Sequence, residues 1–295
     1  MSRKTQNQKA WFFVLPVVAL VAFNAIIPLM TVVNFSVQET FGDNMFFWEG
    51  VTWFQQTLES ERFHAALLRQ LAFTFTILII EIPLGVAIAL AMPRRGPWVS
   101  VCLVLMALPL LIPWNVVGAI WNIFALPDIG FLGNLLNGMG FDYNYTRQPG
   151  AAWFTVILMD VWHWTSLVVL LAYAGLIAIP DAYYQAAKID GAGFWAVFRY
   201  IELPKMKRVL TIAILLRFMD NFRFIDAILI LTGGGPADAT NILPVYLFDV
   251  SFQYFKLGRG AAIAITLLVV TIILGQFLVK VFQNPAGHQA GRTEA

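Results

Sequence analysis

Six apolar stretches alternate with polar segments along the chain. They fall at about Trp11–Val33, Leu71–Met92, Trp98–Phe124, Ala152–Ile179, Val209–Leu231 and Ala261–Phe282. Each is long enough to cross a bilayer, which takes roughly 20 residues. The pattern predicts an all-α integral membrane protein with six transmembrane helices. A polar two-helix insert at 180–204 separates the fourth helix from the fifth. Three regions follow: an N-terminal tail, first span and outer segment over 1–65, a membrane core over 66–283, and a tail over 284–295.

The connections are unequal. Pro93-Arg94-Arg95-Gly96-Pro97 is a tight turn, whereas Asn34–Gln70 is long and rich in Phe and Trp. Leu126–Gly150 carries Gly130, Gly133, Gly138 and Gly140, which break any long helix. Pro109 and Pro113 should kink the third span, freeing carbonyls that must face protein or water. Arg3, Lys4 and Lys9 precede the first span as they would a secretory leader. Its apolar core is too long for one, and no small-residue cleavage site closes it, so a retained helix is expected. The tail from Asn284 is polar and expected to be loose.

Composition agrees with the membrane reading. The 295 residues are 59% hydrophobic and 12% charged, against about 25% charged in soluble domains. A net charge of +2 gives no basis for nucleic-acid binding. The single cysteine, Cys102, cannot form an internal disulfide, and the three histidines show no metal-ligand spacing. No G-x-x-x-x-G-K-[ST] phosphate loop is present, and Gly191-Ala-Gly193 lacks the third glycine and preceding strand of a dinucleotide site. Asn34-Phe-Ser36 and Asn144-Tyr-Thr146 match the glycosylation sequon, a pattern short enough to arise by chance. No catalytic residue, metal or cofactor is expected.

Lys and Arg set the orientation, because basic residues concentrate in inner loops. With the N-terminus inside, Arg3, Lys4, Lys9, Arg94, Arg95, Lys188, Arg199, Lys205, Lys207, Arg208, Lys280 and Arg292 lie inside. Arg62, Arg69, Arg147, Lys256 and Arg259 lie outside, and the first outer segment also holds Glu39, Asp43, Glu49, Glu59 and Glu61. Both termini and the 180–208 segment are therefore expected to be cytoplasmic.

In the insert, Pro180 closes the fourth span and Asp181 is placed to cap a new helix over Ala182–Lys188. Asp190-Gly191 supplies a turn, since glycine tolerates backbone angles that other residues avoid. Gly193–Tyr200 forms a second short helix, which Pro204 stops. Ala186-Ala187 admits a closely approaching surface, and Gln185 offers it hydrogen bonds. From pattern alone, an amphipathic segment lying on the inner membrane face remains open as the alternative.

This stretch resembles the EAA loop of the permease subunits of ABC importers. The family pattern is roughly E-A-A-x-x-D-G-A, followed about a dozen residues later by L-P. Gln185-Ala186-Ala187, Asp190-Gly191-Ala192 and Leu203-Pro204 stand at those positions. Leu231-Thr232-Gly233-Gly234-Gly235-Pro236, with Asp226 before it, is a second family-like stretch. The likeness spans about residues 66–282. It is nearest to permeases for sugars, polyols and glycerol-type compounds, the group that includes the maltose transporter's membrane subunits. The resemblance implies ATPase-coupling residues Tyr184, Gln185, Ala186, Ala187, Asp190, Gly191, Ala192, Leu203 and Pro204. It also implies a second permease subunit, two ATPase subunits docking on 181–204, an external solute-binding protein, and a place in the bacterial inner membrane. One departure is plain: Gln185 stands where the family has glutamate, so an ion pair there becomes a neutral hydrogen bond.

The fifth span carries Arg217, Asp220, Arg223 and Asp226 at intervals of three with alternating sign. Neighbours at i and i+3 meet on a helix, so the four can form a ladder. Twelve residues from Arg208 to Asp220 rise about 18 Å, which sets Asp220 and Asn221 near or just beyond the midplane. Two readings stay open. Asp220, Asn221 and Phe224 line a solute pathway, the first two meeting sugar hydroxyls and Phe224 stacking on a ring. Otherwise the charges pin helices together. The resemblance favours the first, since the maltose permease uses this part of its helix for sugar. Glu81 in the second span, Trp114 and Asn115 in the third, and Asp160, Trp162, His163, Trp164 and Thr165 in the fourth are weaker pathway candidates. The function expected is a permease subunit of an ATP-driven importer working by alternating access. The alternative is a secondary transporter driven by an ion gradient, with Asp220 or Asp226 titrating.

Overall fold

The computed structural model describes residues 10–40 and 45–283. The charges at Arg3, Lys4, Lys9, Asp43 and Arg292 and the tail expected from Asn284 lie outside the described residues. Helix α1 spans Ala10–Ser36, and strands β1 (Gln38–Thr40) and β2 (Phe46–Trp48) pair antiparallel with Glu39 opposite Phe47. Then come α2 (Thr52–Glu59), α3 (Glu61–Ala91), α4 (Trp98–Ala107), α5 (Trp114–Phe124), α6 (Phe131–Gly138) and α7 (Pro149–Ile177). The insert forms α8 (Asp181–Ile189) and α9 (Phe194–Val197), followed by α10 (Leu203–Asn221), α11 (Asp226–Leu231), α12 (Leu243–Phe248) and α13 (Leu257–Gln283). The chain divides into two units, residues 1–63 with 247–269 and residues 64–246 with 270–295.

In the first unit α1 presents an almost unbroken apolar surface, with Phe12, Phe13, Leu20 and Phe23 exposed. Such a surface suits hydrocarbon, in which every backbone polar group must be satisfied within the helix. The Trp53 indole donates to the Gln38 carbonyl at 3.1 Å, tying α2 to β1.

Among the described residues, α1, α3, α7 and α13 are long and apolar enough to cross a membrane. The third and fifth expected spans are each broken in two. In the third, Pro109 opens a 3₁₀ turn over Pro109–Leu111 and Pro113 sits in extended backbone before α5. Each proline lacks an N–H and excludes the carbonyl four residues back, so the expected kink becomes an interruption. The fifth breaks after Asn221: residues 222–225 leave the helix, and α11 restarts at Asp226.

The second unit holds two apolar cores. One gathers Phe73 and Ile77 of α3, Val117 and Trp121 of α5, Val156 and Met159 of α7, and Ile228 of α11. The other gathers Val86 and Ala89 of α3, Val169 and Tyr173 of α7, and Met206 and Leu210 of α10. Helix α7 belongs to both and is the most buried of the four long helices. Its approach to α3 depends on Gly85, where an added Cβ would lie 2.5 Å from Val168 Cγ1 and 3.2 Å from the Val169 nitrogen. Small residues permit such close helix approach in membranes. Gly85→Ala should cost about 1–3 kcal/mol through overpacking, read as a lower unfolding temperature in detergent. An unchanged unfolding temperature would mean that α3 and α7 do not pack this closely.

Candidate functional site

The insert is braced from beneath. Helix α8 ends in a Schellman arrangement: Ala192 N–H donates to the Ala187 carbonyl at 2.9 Å and Gly191 N–H to that of Lys188 at 3.3 Å. Gly191 holds the left-handed conformation this requires, with φ at +67°. Asp181 does not cap α8. Pro180 precedes the helix, and the Asp181 carboxylate instead accepts from Arg95 at 2.5 Å. This pair is exposed and contributes about 0–1 kcal/mol. Arg94 donates at 2.5 Å to Glu202, which is nearly buried, and also lies over the Tyr184 ring. Tyr184 OH donates to the same Glu202 oxygen at 3.2 Å. Burial pushes the Tyr184 hydroxyl pKa up, whereas the hydrogen bond from Lys205 lowers that of the exposed Tyr183. The Arg94-Arg95 turn thus fixes the insert from both ends. The sequence signal was two adjacent arginines in a short turn facing an insert with acids at positions 181 and 202.

Pro204 does not stop the second helix. From Phe194 the chain stays helical through a π turn over Phe198–Glu202 and into α10, with Pro204 in the first turn of α10. A proline inside an α-helix clashes with the carbonyl four residues back. Widening that turn to π spacing accommodates the ring without ending the helix. Of the implied coupling residues, Gln185, Ala186, Asp190, Gly191, Ala192 and Pro204 are exposed. Ala187 is buried, while Tyr184 and Leu203 are half-buried against the second apolar core.

A buried charge cluster lies between the two cores. Arg217 of α10 forks onto Glu81 of α3, Nε to Oε2 at 2.8 Å and Nη2 to Oε1 at 3.1 Å. Its Nη2 also donates to Asp160 Oδ2 of α7, and its Nη1 reaches Asp220 Oδ2 at 3.4 Å. The side chains of Arg217, Glu81 and Asp160 are fully buried, and that of Asp220 is 32% exposed. The Trp164 ring covers the guanidinium at 4.6 Å. A planar fork matches two carboxylates at once, as a lysine ammonium does not.

The ladder expected along one helix is therefore not formed. Only its Arg217–Asp220 step exists. Arg223 falls in the break after α10 and Asp226 opens α11, and among the described residues no ion pair joins either to its expected neighbour. Arg217 is paired instead across three helices.

The expected pathway residues separate. Asp220 is partly exposed. Asn221 is fully buried, its carbonyl accepting from Gln70 at 2.9 Å while neither polar atom of its amide has a partner. Phe224 lies in the first apolar core, stacked on Phe73 at 5.6 Å and tilted against Trp114 at 4.8 Å. Phe224 is thus a wall residue rather than a free stacking platform. His163 and Trp164 pack against Trp114 and also carry unpartnered ring nitrogens. The stretch Leu231–Pro236 ends α11 and turns the chain tightly, Gly233 and Gly234 adopting positive φ and the Thr232 and Thr240 hydroxyls bonding at 2.7 Å.

Residues 81–285 match the family model of the binding-protein-dependent transport system inner membrane component. The chain belongs to this family. The matched region contains the whole insert, the charge cluster and the breaks in both interrupted spans. The trehalose/maltose transport system permease protein MalF of Thermococcus litoralis is 30% identical over 275 residues, 91% of each chain. The trehalose transport system permease protein SugA of Mycobacterium tuberculosis is 29% identical, covering 99% of this chain and 94% of its own. A bacterial ABC transporter structure involved in import of the acidic polysaccharide alginate superposes with a TM-score of 0.80 at 19% identity, covering 94% of this chain and 96% of that one. That likeness is one of fold. As an inner membrane component of a binding-protein-dependent system, the permease is not a secondary transporter, and the ion-gradient alternative is set aside. It is a membrane pathway and not itself an enzyme.

Proposed function

We propose that this permease forms half of the membrane pathway of an ATP-driven importer for a sugar, polyol or glycerol-type solute. The observation that carries the solute class is its similarity, over nearly its whole length, to permeases named for trehalose and maltose. A second permease subunit completes the pathway. Two ATPase subunits dock on residues 181–204 from the cytoplasm, and an external binding protein delivers the solute. Both termini face the cytoplasm, as the distribution of Lys and Arg supports.

The insert couples the two processes. Gln185, Ala186, Asp190, Gly191, Ala192 and Pro204 form the docking surface, while Tyr184, Ala187 and Leu203 transmit its movement inward. Closure of the ATPase dimer shifts α8 and the π-linked rod of α9 and α10. Arg217 in that rod is clamped to α3 and α7, so the three helices move together and open the pathway outward. Hydrolysis resets it. Asp220, partly exposed, offers acceptors to solute hydroxyls; the unpartnered amide of Asn221, buried in this state, joins it with donors and an acceptor when the pathway opens, and Phe224 forms the apolar wall behind them.

Uptake of radiolabelled trehalose or maltose into vesicles containing the full assembly tests this. Uptake should require ATP and the binding protein and persist when ionophores collapse the ion gradients. Accumulation that follows the gradients and ignores ATP would overturn the reading. Asn221→Ala should leave membrane abundance near normal, because no ion pair is lost. Loss of a hydrogen bond to the solute, about 1 kcal/mol, should weaken apparent affinity about fivefold. Wild-type uptake at every solute concentration would remove Asn221 from the pathway.

A further inference from the structure

We propose that a groove between α3 and the second half of the insert binds an acyl chain of an anionic phospholipid. Pro83, Ala87 and Ala91 of α3 form one wall, and Phe194, Trp195 and Phe198 form the other, around a cavity of about 440 Å³. The α3 residues recur every four positions and so share a helix face. All three are exposed, as are Phe194 and Trp195 at 62% and 74%. Neither wall contributes a charged side chain, so the cavity suits hydrocarbon. Its level in the membrane follows from the chain: α3 is a spanning helix, Ala91 is its last residue, and Arg94 and Arg95 come just after. Aromatic residues at such a boundary sit with their rings at headgroup level.

Charge selects the occupant. Arg94, Arg95 and Lys205 are engaged with Glu202, Asp181 and Tyr183. Arg199, next to Phe198, and Lys207 and Arg208 further along the same rod are exposed, and among the described residues no ion pair is assigned to them. A cation adjoining the groove-lining Phe198 at a membrane boundary complements a lipid with a negative headgroup. The inference goes beyond the coupling role of the insert: it makes the insert a sensor of the surrounding lipid through a face other than the one bearing Gln185.

The test uses the transporter assembly in nanodiscs containing lipids with brominated acyl chains, which quench nearby tryptophan fluorescence. The Trp195 signal is the difference between wild type and Trp195→Phe. Brominated phosphatidylglycerol should quench this signal more strongly than brominated phosphatidylcholine. Arg199→Gln should reduce that preference about fivefold, equivalent to about 1 kcal/mol for one basic residue near an anionic surface. Ala87→Phe, which fills the groove, should reduce quenching by both lipids while the assembly stays intact by size-exclusion chromatography. Absence of quenching by either lipid would show that protein covers the groove and would overturn the proposal. Equal quenching by both lipids would overturn the selectivity for negative headgroups. Unchanged quenching in Ala87→Phe would show that the chain lies elsewhere.

Discussion

Arg217→Leu is expected to remove most folded permease from the membrane. The substitution leaves Glu81 and Asp160 fully buried with no cation, since Arg217 is their only ion-pair partner among the described residues. Breaking a buried pair by removing one member costs about 3–5 kcal/mol, and a whole domain is stable by only about 5–15 kcal/mol. The cost should be largest here because three helices lose their common anchor together. Arg217→Lys should fall between: a single ammonium keeps the charge but cannot fork onto Glu81 while reaching Asp160. The combination Arg217→Leu with Glu81→Leu and Asp160→Leu removes the charges together and should recover much of the folded protein, since apolar replacement of a whole buried cluster is often neutral or stabilising. Membrane abundance and unfolding temperature in detergent measure all three. Wild-type values for Arg217→Leu alone would show that the buried pairing is not formed. If the triple variant folds but transports poorly, the clamp serves movement as well as stability.

The cluster shows where a local reading of sequence ends. Spacing along one helix suggested partners at i+3, and that rule correctly found Asp220. It could not find Glu81 and Asp160, which are distant in sequence and become neighbours only through the packing of α3 and α7 against α10. The signal available was composition by span: one acid in the second with no Lys or Arg beside it, one in the fourth likewise, and two bases with two acids in the fifth; a charge in hydrocarbon needs a partner, so Glu81 and Asp160 had to look to another span. The long spans α1, α3, α7 and α13 were legible because length and apolar content alone determine them. The interruption of the third span was legible in part, through Pro109 and Pro113. The break at 222–225 was not, because it contains neither proline nor glycine. There Phe222 and Phe224 are both buried, and tertiary packing of two aromatic rings overrides helical continuation. Pro204 misled in the opposite direction, since a single π turn absorbs it. The turn at Gly191 was legible because its backbone angle is a demand that few residues meet.

Gly191→Pro is expected to abolish transport while leaving insertion and abundance of the protein near normal. Gly191 has φ at +67°, whereas proline is fixed near −65°, so the Schellman turn cannot form. Its N–H, which bonds the Lys188 carbonyl, is lost as well. The chain must leave α8 in another direction, and Gln185 and Ala186 then no longer hold their place relative to Ala192 and Pro204. The spanning helices do not depend on this turn, because the insert is held to them through Arg94, Arg95 and Glu202. Gly191→Ala separates backbone from contact effects. No atom lies within 4 Å of the added Cβ, so alanine should lose only the left-handed preference. That is about 1 kcal/mol, or about fivefold in the population of the native turn. A graded series follows: modest loss for alanine and, for proline, loss of ATPase copurification together with uptake. If Gly191→Pro retains both at wild-type level, the insert does not couple the ATPases to the pathway. If it retains the ATPases but loses uptake, the turn transmits movement rather than holding the partner, and the coupling role is refined to that step.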